Sequence, residues 1–149
     1  MADVEVLATA VIDCGYHLHR RLGPGLLETV YEAVLAEHIG NRGFAVERQK
    51  SVPIEIDGIN FNEGFRIDLL IEGTLVVELK SVERASPVHA KQVLTYLRLL
   101  DLPLGLLMNF GAETFRDGLK RVINSHKPFA PSRLRVRPED LYTLTEPHL

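Results

Sequence analysis

The chain has little cysteine, no tryptophan and no long hydrophobic run. Its single cysteine, Cys14, among 149 residues excludes an internal disulfide and a cysteine-rich zinc site. No apolar run reaches the ~20 residues that a membrane-spanning helix needs. The N-terminus also lacks the basic segment that precedes the apolar stretch of a secretory signal. We therefore expect a cytoplasmic protein with no membrane partner.

An excess of basic residues is missing as well. Lysine and arginine together number 17, against 20 aspartate and glutamate residues, which gives a formal net charge of −3. Nucleic-acid binding across a whole surface usually accompanies a basic composition, so this balance does not favour it. The net charge does not exclude nucleic-acid binding at a local basic patch. A metal site made of carboxylates would itself contribute to the excess of acidic residues. The length and a hydrophobic fraction of 46% suit one soluble domain over residues 1–149.

The spacing of apolar residues predicts helices around a group of strands. The predicted elements are helices over 3–22 and about 25–41, strands over 46–56, 65–71 and 75–80, a helix that begins at Pro87 with Ser86 as N-cap, and a strand over 104–110. Residues 112–124 fit either a helix or a last strand that ends near Asn124, and we prefer the strand. We expect 125–149 to be a C-terminal cover segment. This order predicts an α/β (α+β) fold with a mixed central sheet flanked by helices.

The stretch VVELKSVERA, residues 76–85, places an acid and a base in an otherwise apolar strand. Glu78 and Lys80 are two positions apart, so both side chains leave the same face of the strand. Burying them costs free energy unless they pair or act together. An ordinary charge pair on a solvated sheet face is one explanation, and a functional site is the other.

The preceding strand brings a second acid to the same place. If the loop 72–74 has three residues, Asp68 lies opposite Glu78, with the two Cβ atoms about 5 Å apart. In that register Ile71 pairs with Leu75. Side chains along a regular strand alternate between its two faces. One face would therefore carry Phe65, Ile67, Leu69 and Ile71, and the opposite face would carry Arg66, Asp68 and Leu70.

The two carboxylates would repel each other unless a proton or a cation lies between them. Their oxygen atoms suit Mg²⁺ or Mn²⁺. A lysine on the same face can hold a water molecule or offset the charge of a phosphate. Glu28 adds a third acid at the edge of the apolar face of the second helix. A glutamate favoured by the dipole at a helix N-terminus explains Glu28 equally well.

Four ordered motifs resemble those of the GxxExxY proteins, which belong to the PD-(D/E)XK nuclease superfamily. The motifs are GLLETVY at 25–31, FRIDLLIEGTLVVELKSV at 65–82, QVLTYL at 92–97 and GLLMNFG at 105–111. The resemblance covers about residues 5–124. It implies a restriction-endonuclease-like αβββαβ core with an extra N-terminal helix and a metal site at its centre.

The resemblance also implies roles for single residues. Glu28, Asp68 and Glu78 would face a Mg²⁺ or Mn²⁺ ion, and the Leu79 carbonyl would be a further ligand. Lys80 would orient the attacking water and stabilise the charge of the transition state.

Two further residues match a superfamily pattern outside the strands. Gln92 and Tyr96, on the helix after the third strand, match the QxxxY pattern and would lie at the edge of the site, Gln92 as a catalytic residue and Tyr96 as a contact to the nucleic acid. The chain departs from the superfamily's name at Ile67, where that name has a proline. Proline is not a ligand, so this departure leaves the implied site unchanged.

The basic residues form small clusters that could contact a phosphate backbone. Arg20 and Arg21 precede a glycine-rich turn. Arg133, Arg135 and Arg137 alternate along a segment that we expect to be extended, so all three would face one side. A solvated edge strand that is protected by its charge is the alternative explanation for them.

The function that the resemblance implies is a Mg²⁺-dependent nuclease that hydrolyses phosphodiester bonds, with DNA favoured over RNA. A catalytically silent nuclease-fold module that binds nucleic acid or a protein partner is the alternative. A phosphohydrolase that acts on a nucleotide or another small substrate is a third hypothesis. A homodimer is expected only by analogy, because a small nuclease often needs two sites to cut both strands.

Overall fold

Helices and strands follow one another in the predicted order. The computed structural model of the chain describes residues 3–125 and 135–136. In chain order the elements are α1 (Val4–Leu22), α2 (Glu28–Asn41), β1 (Val46–Ile56), β2 (Ile59–Ile71), β3 (Leu75–Lys80), α3 (Pro87–Leu100), β4 (Leu104–Asn109), α4 (Phe115–Gly118), β5 (Leu119–Ile123) and β6 (Arg135–Val136). The rest of the predicted cover segment, with Arg133 and Arg137, lies outside the described residues.

The six described strands form one mixed sheet in the order β5-β4-β3-β2-β1-β6. β3 and β4 run parallel and are connected through α3, while the β1–β2, β2–β3 and β4–β5 pairs are antiparallel. The two residues of β6 add a parallel strand outside β1. The predicted mixed sheet with flanking helices and an N-terminal helix is therefore confirmed.

The helices cover both faces of the sheet. α1 and α2 pack on one face and α3 packs on the other, and each side has its own cluster of buried apolar residues. β3 and β4 are buried almost throughout because both of their faces are covered, which explains their nearly continuous apolar sequences. No helix within the described residues is long and apolar enough to span a membrane.

Turns and caps set the bounds of several elements. α3 begins at Pro87 because the Ser86 hydroxyl accepts a hydrogen bond from the Val88 N–H, as a capping serine does. β2 begins at Ile59, earlier than the predicted residue 65, because the turn after Ile56 leads directly into paired strands. α2 begins at Glu28 rather than near residue 25, since the chain before it is bent.

Residues 112–124 contain one helical turn and then a strand. The Thr114 hydroxyl accepts a hydrogen bond from the Asp117 N–H and caps the short α4. β5 follows and pairs with β4, from Leu104–Ile123 to Met108–Leu119. The preferred strand is therefore correct for 119–123, and the helical alternative applies only to a single turn.

The register between β2 and β3 is the one that the three-residue loop predicts, with Ile71 paired to Leu75. The prediction that Phe65, Ile67, Leu69 and Ile71 share one face is wrong. Leu69 and Ile71 belong to the cluster beneath α1 and α2, whereas Phe65 and Ile67 pack with the cluster beneath α3.

Two irregularities beside Asp68 account for this change of face. The β1–β2 ladder has no pair between Gln49 and Asp68, and Gln49 has a φ of 49°, in the left-handed region. On the other side of the strand, the pairing of β2 with β3 ends at Leu69 and Val77. A regular two-residue period does not persist through such a break, so the alternation shifts at Asp68.

Candidate active site

Asp68 and Glu78 face each other where β2 and β3 separate. The Asp68 N–H donates a hydrogen bond of 2.7 Å to Oε2 of Glu78. The Leu79 N–H donates one of 2.9 Å to Oδ2 of Asp68. Each carboxylate thus takes the place of a backbone acceptor on the other strand. This exchange holds both acids in fixed positions beside each other.

Glu78 is a buried acid, with only 7% of its surface exposed. Burial first, and then the charge of Asp68, raise the pKa of Glu78 to about 9, although the hydrogen bond from the Asp68 backbone and the charge of Lys80 oppose the rise. A hydrogen bond between the Asp68 and Glu78 side chains raises this pKa further. In the metal-free protein near neutral pH, Glu78 therefore carries a proton that relieves the repulsion between the acids.

Glu28 and Lys80 lie beside this pair. Burial and then the charge of Asp68 raise the pKa of Glu28, while the charge of Lys80 lowers it. Lys80 is the last residue of β3 and is half-buried. Its charge acts on both Glu28 and Glu78, so all four predicted polar residues share one environment.

The loop before α2 is fixed by Tyr31, the last residue of the GLLETVY motif. The buried Tyr31 hydroxyl donates to the Gly23 carbonyl at 2.6 Å and accepts from the Leu26 N–H at 3.1 Å. The Ser81 hydroxyl donates to the Leu26 carbonyl at 2.6 Å, which ties the same loop to the end of β3. These bonds determine where α2 begins and so bring Glu28 to the acids.

The GLLMNFG motif holds the chain that leaves Lys80. The Phe110 N–H donates to the Lys80 carbonyl at 2.8 Å. Oδ1 of the buried Asn109 accepts hydrogen bonds of 3.0 Å from both the Val82 and Gly111 N–H groups. A Cβ atom at Gly111 would lie 2.3 Å from the Val82 carbonyl oxygen, so only glycine fits there. The motif is structural and secures the segment that carries Lys80.

Gln92 and Tyr96 lie on α3 next to the acids. Tyr96 is buried and stacks on Phe65, with ring centroids 4.3 Å apart. Burial and then the charge of Glu78 raise the pKa of Tyr96 to about 12, while a hydrogen bond with the exposed Gln92 side chain opposes the rise. One face of the Tyr96 ring is therefore covered, and Gln92 is the member of the pair that faces solvent.

Sequence reasoning missed three residues beside the site. Glu32 is buried on α2, and Gln49 and Arg48 on β1 donate hydrogen bonds to it. Gln49 also donates to Oδ1 of Asp68 at 3.1 Å. The spacing of Glu28 and Glu32 by one helical turn was the available signal, because it puts both acids on one side of α2.

The family comparison agrees with this geometry. A family model described as PD-(D/E)XK nuclease superfamily matches residues 5–122. The chain belongs to this superfamily. Comparisons with curated proteins and with solved structures found no match. Proteins of the PD-(D/E)XK superfamily are generally nucleases, and they usually use divalent metals.

The donor atoms fit the kind of metal that a PD-(D/E)XK protein uses. Among residues 3–125, no three His, Cys, Asp or Glu side chains gather closely enough to form a metal site by themselves. Mg²⁺ does not need such a set, because it binds through one or two carboxylates and keeps several waters. The Leu79 N–H points to Asp68, and the N–H and C=O of a strand residue point to the same neighbouring strand, so the Leu79 carbonyl also faces the acids.

The predicted basic contacts lie on other parts of the superfamily fold. Arg20 and Arg21 are exposed on the last turn of α1. Nη1 of Arg20 donates to the Tyr16 hydroxyl at 3.0 Å, so this side chain packs on its own helix. The backbone of Arg135, in β6, pairs with the backbone of Glu55 in β1, so Arg135 lies in an extended segment.

Proposed function

We propose that the chain is a metal-dependent nuclease that hydrolyses phosphodiester bonds. The pairing of Asp68 with Glu78, next to Lys80, is the observation that carries the proposal. Two adjacent acids and a lysine at a break in a sheet are unfavourable for stability alone. The narrower assignment to the GxxExxY proteins is supported by the contacts of Tyr31, which give a structural reason for the spacing of that motif.

Each polar residue of the site has a role in this proposal. Asp68, Glu78 and the Leu79 carbonyl would hold Mg²⁺ or Mn²⁺, and Glu28 would face the same ion through water. The bound ion would supply positive charge at a phosphate oxygen and would lower the pKa of a water molecule. Lys80 would orient the attacking water and offset the charge that develops on the phosphate.

The residues around the acids would hold the substrate. Gln92, exposed and bonded to Tyr96, would donate hydrogen bonds to the nucleic acid at the edge of the site. Tyr96 would contact the nucleic acid beside Gln92, and Arg20, Arg21, Arg133 and Arg135 would contact phosphates. We infer DNA as the preferred substrate over RNA, and a homodimer that brings two sites to the two strands of a duplex.

The first experiment combines metal binding with cleavage. Mn²⁺ binding is measured by calorimetry, and cleavage of single- and double-stranded DNA and RNA is followed with Mg²⁺. Asp68→Asn should abolish both, because it keeps the shape of the side chain and removes its charge. Asp57→Asn, in the exposed hairpin turn, is the matched control and should change neither.

The alternative is a catalytically silent module that binds nucleic acid or a protein partner, which the small size of the chain and its formal net charge of −3 favour. Such a module would bind nucleic acid in a salt-dependent way. It would bind no Mn²⁺, with or without nucleic acid, and Asp68→Asn would leave its nucleic-acid affinity unchanged. Mn²⁺ binding that depends on Asp68 would exclude the module.

A further inference from the structure

Gln49 joins two acids that lie on different elements. Its side-chain nitrogen Nε2 donates to Oε1 of Glu32 on α2 at 2.6 Å and to Oδ1 of Asp68 on β2 at 3.1 Å. A primary amide nitrogen has two hydrogens, so each acid receives one. The Leu79 N–H holds the other oxygen of Asp68. The orientation of the Asp68 carboxylate is therefore set by Gln49 on β1 and, from β3, by the Leu79 N–H and the Glu78 side chain.

The backbone of Gln49 is in an unfavourable conformation for this contact. Its φ of 49° lies in the left-handed region, which costs free energy for a residue with a side chain. The irregularity lies directly across from Asp68, where the β1–β2 ladder lacks a pair. Strain of this kind persists where the surrounding structure requires it, and it is concentrated at functional sites.

Glu32 holds the other end of the amide. The side chain of Glu32 is 5% exposed and lies on α2 one turn after Glu28. Besides Gln49, Nε of Arg48 donates to it at 3.2 Å. A buried carboxylate needs such donors, and here one of the two donors also reaches Asp68. Glu32 thus limits the positions that the Gln49 amide can take.

We propose that Gln49 is a positioning residue that holds the Asp68 carboxylate in the orientation for metal binding, and that Glu32 acts through Gln49. This inference rests on the proposed metal-dependent function. Removing a residue that orients a metal ligand commonly lowers metal affinity or activity by about 10- to 100-fold. We expect a loss of metal affinity of that order here.

The test is Mn²⁺ affinity measured by calorimetry, which does not require nuclease activity. Gln49→Ala should weaken binding about tenfold or more. Glu32→Ala should also weaken it, but it should have no further effect in the Gln49→Ala background, because its effect passes through the amide. Arg48→Ala is the matched control, since it removes the other donor to Glu32 and leaves the bridge to Asp68 in place; its Mn²⁺ binding should not weaken.

A second variant covers the case in which Gln49→Ala does not fold. Gln49→Asn keeps an amide and suits a positive φ, but its shorter side chain does not span the two acids. It should weaken Mn²⁺ binding to the same degree. If the wild type binds Mn²⁺ and both Gln49 variants bind it equally well, this inference is overturned and the proposed function stands. If the wild type binds no Mn²⁺, both are overturned.

A cleavage assay separates positioning from a general loss of structure. Gln49→Ala should lower cleavage at limiting Mg²⁺ and recover as the Mg²⁺ concentration rises, because only the affinity for the ion is weakened. Its KM for the nucleic acid should remain unchanged. A loss of cleavage that no Mg²⁺ concentration restores would contradict the positioning role.

Discussion

Asp68 and Glu78 exchange contacts across the point where their strands part, with the Asp68 N–H bound to the Glu78 carboxyl group at 2.7 Å. Glu78 is neutral in the metal-free protein near pH 7, since its pKa is raised to about 9. A proton therefore occupies the place where a cation would balance the two acids. Metal binding and protonation compete at this pair, and this competition can be measured.

The stability of the metal-free protein should fall as the pH rises from about 5 to about 9. The pKa of Glu78 is raised from 4.5 to about 9 by burial and by Asp68. Between these values the folded state holds a proton that the unfolded chain has lost, so raising the pH favours unfolding. Thermal unfolding in the presence of a chelator checks this expectation. Glu78→Gln should flatten the profile, and an equally steep profile in that variant would assign the effect to other groups.

Metal binding should release about one proton near neutral pH, because the ion binds the carboxylate form of Glu78. The apparent enthalpy of Mn²⁺ binding should therefore differ between PIPES and Tris buffers, whose ionisation enthalpies differ. The affinity should rise with pH until about pH 9, the pKa of Glu78. Equal enthalpies in the two buffers would show that Glu78 is already ionised or does not bind the metal.

Lys80→Met should lower cleavage by about 10²- to 10³-fold, the usual effect of removing one group that stabilises transition-state charge. Mn²⁺ binding should remain or become tighter, because the positive charge beside Glu28 and Glu78 is gone. Lys50→Met, an exposed lysine of β1, serves as the control and should leave both unchanged. If Lys80→Met abolished metal binding together with cleavage, Lys80 would have a structural role instead.

Tyr31→Phe should lower the free energy of unfolding by about 1–2 kcal/mol, since the Leu26 N–H and the Gly23 carbonyl lose their partner. The ring should stay in place, because it stacks on Phe110 with centroids 4.6 Å apart. Cleavage should fall as well, as the loop that leads to Glu28 loosens. Urea unfolding of this variant is compared with that of Tyr16→Phe, whose hydroxyl is bonded only on the surface. Equal losses in the two variants would refute a specific role for Tyr31.

Local sequence rules predicted much of the fold. The three-residue loop at 72–74 determines the pairing of Ile71 with Leu75, and this register predicts that Asp68 lies opposite Glu78. Ser86 and Pro87 predict the start of α3. The Ser86 side chain accepts a hydrogen bond from a free N–H of the first turn, and Pro87 has no N–H that would need a partner. These features depend only on residues that are close together in the chain, so the sequence alone is enough to predict them.

Other parts of the site could not be predicted because they depend on contacts distant in sequence. The positive φ of Gln49 and the change of face at Asp68 follow from a break in the ladder that strict alternation does not anticipate. The burial of Glu32 depends on β1 lying against α2. A glutamate on a helix is usually exposed, so the one-turn spacing from Glu28 could place Glu32 on the same side of α2 but could not predict that it is buried.

The separation of β2 from β3 also leaves β2 with a single neighbouring strand over most of its length. Within the described residues, β2 pairs with β1 alone from Ile59 to Ile67, and β3 joins it only from Leu69 onward. This stretch of β2 extends about 30 Å from the acids, at ~3.3 Å per residue, and only its part near Phe65 and Ile67 packs with the cluster beneath α3. Between residues 51 and 65 the β1–β2 hairpin carries three acids and no lysine or arginine, so its charge does not favour contact with a phosphate backbone.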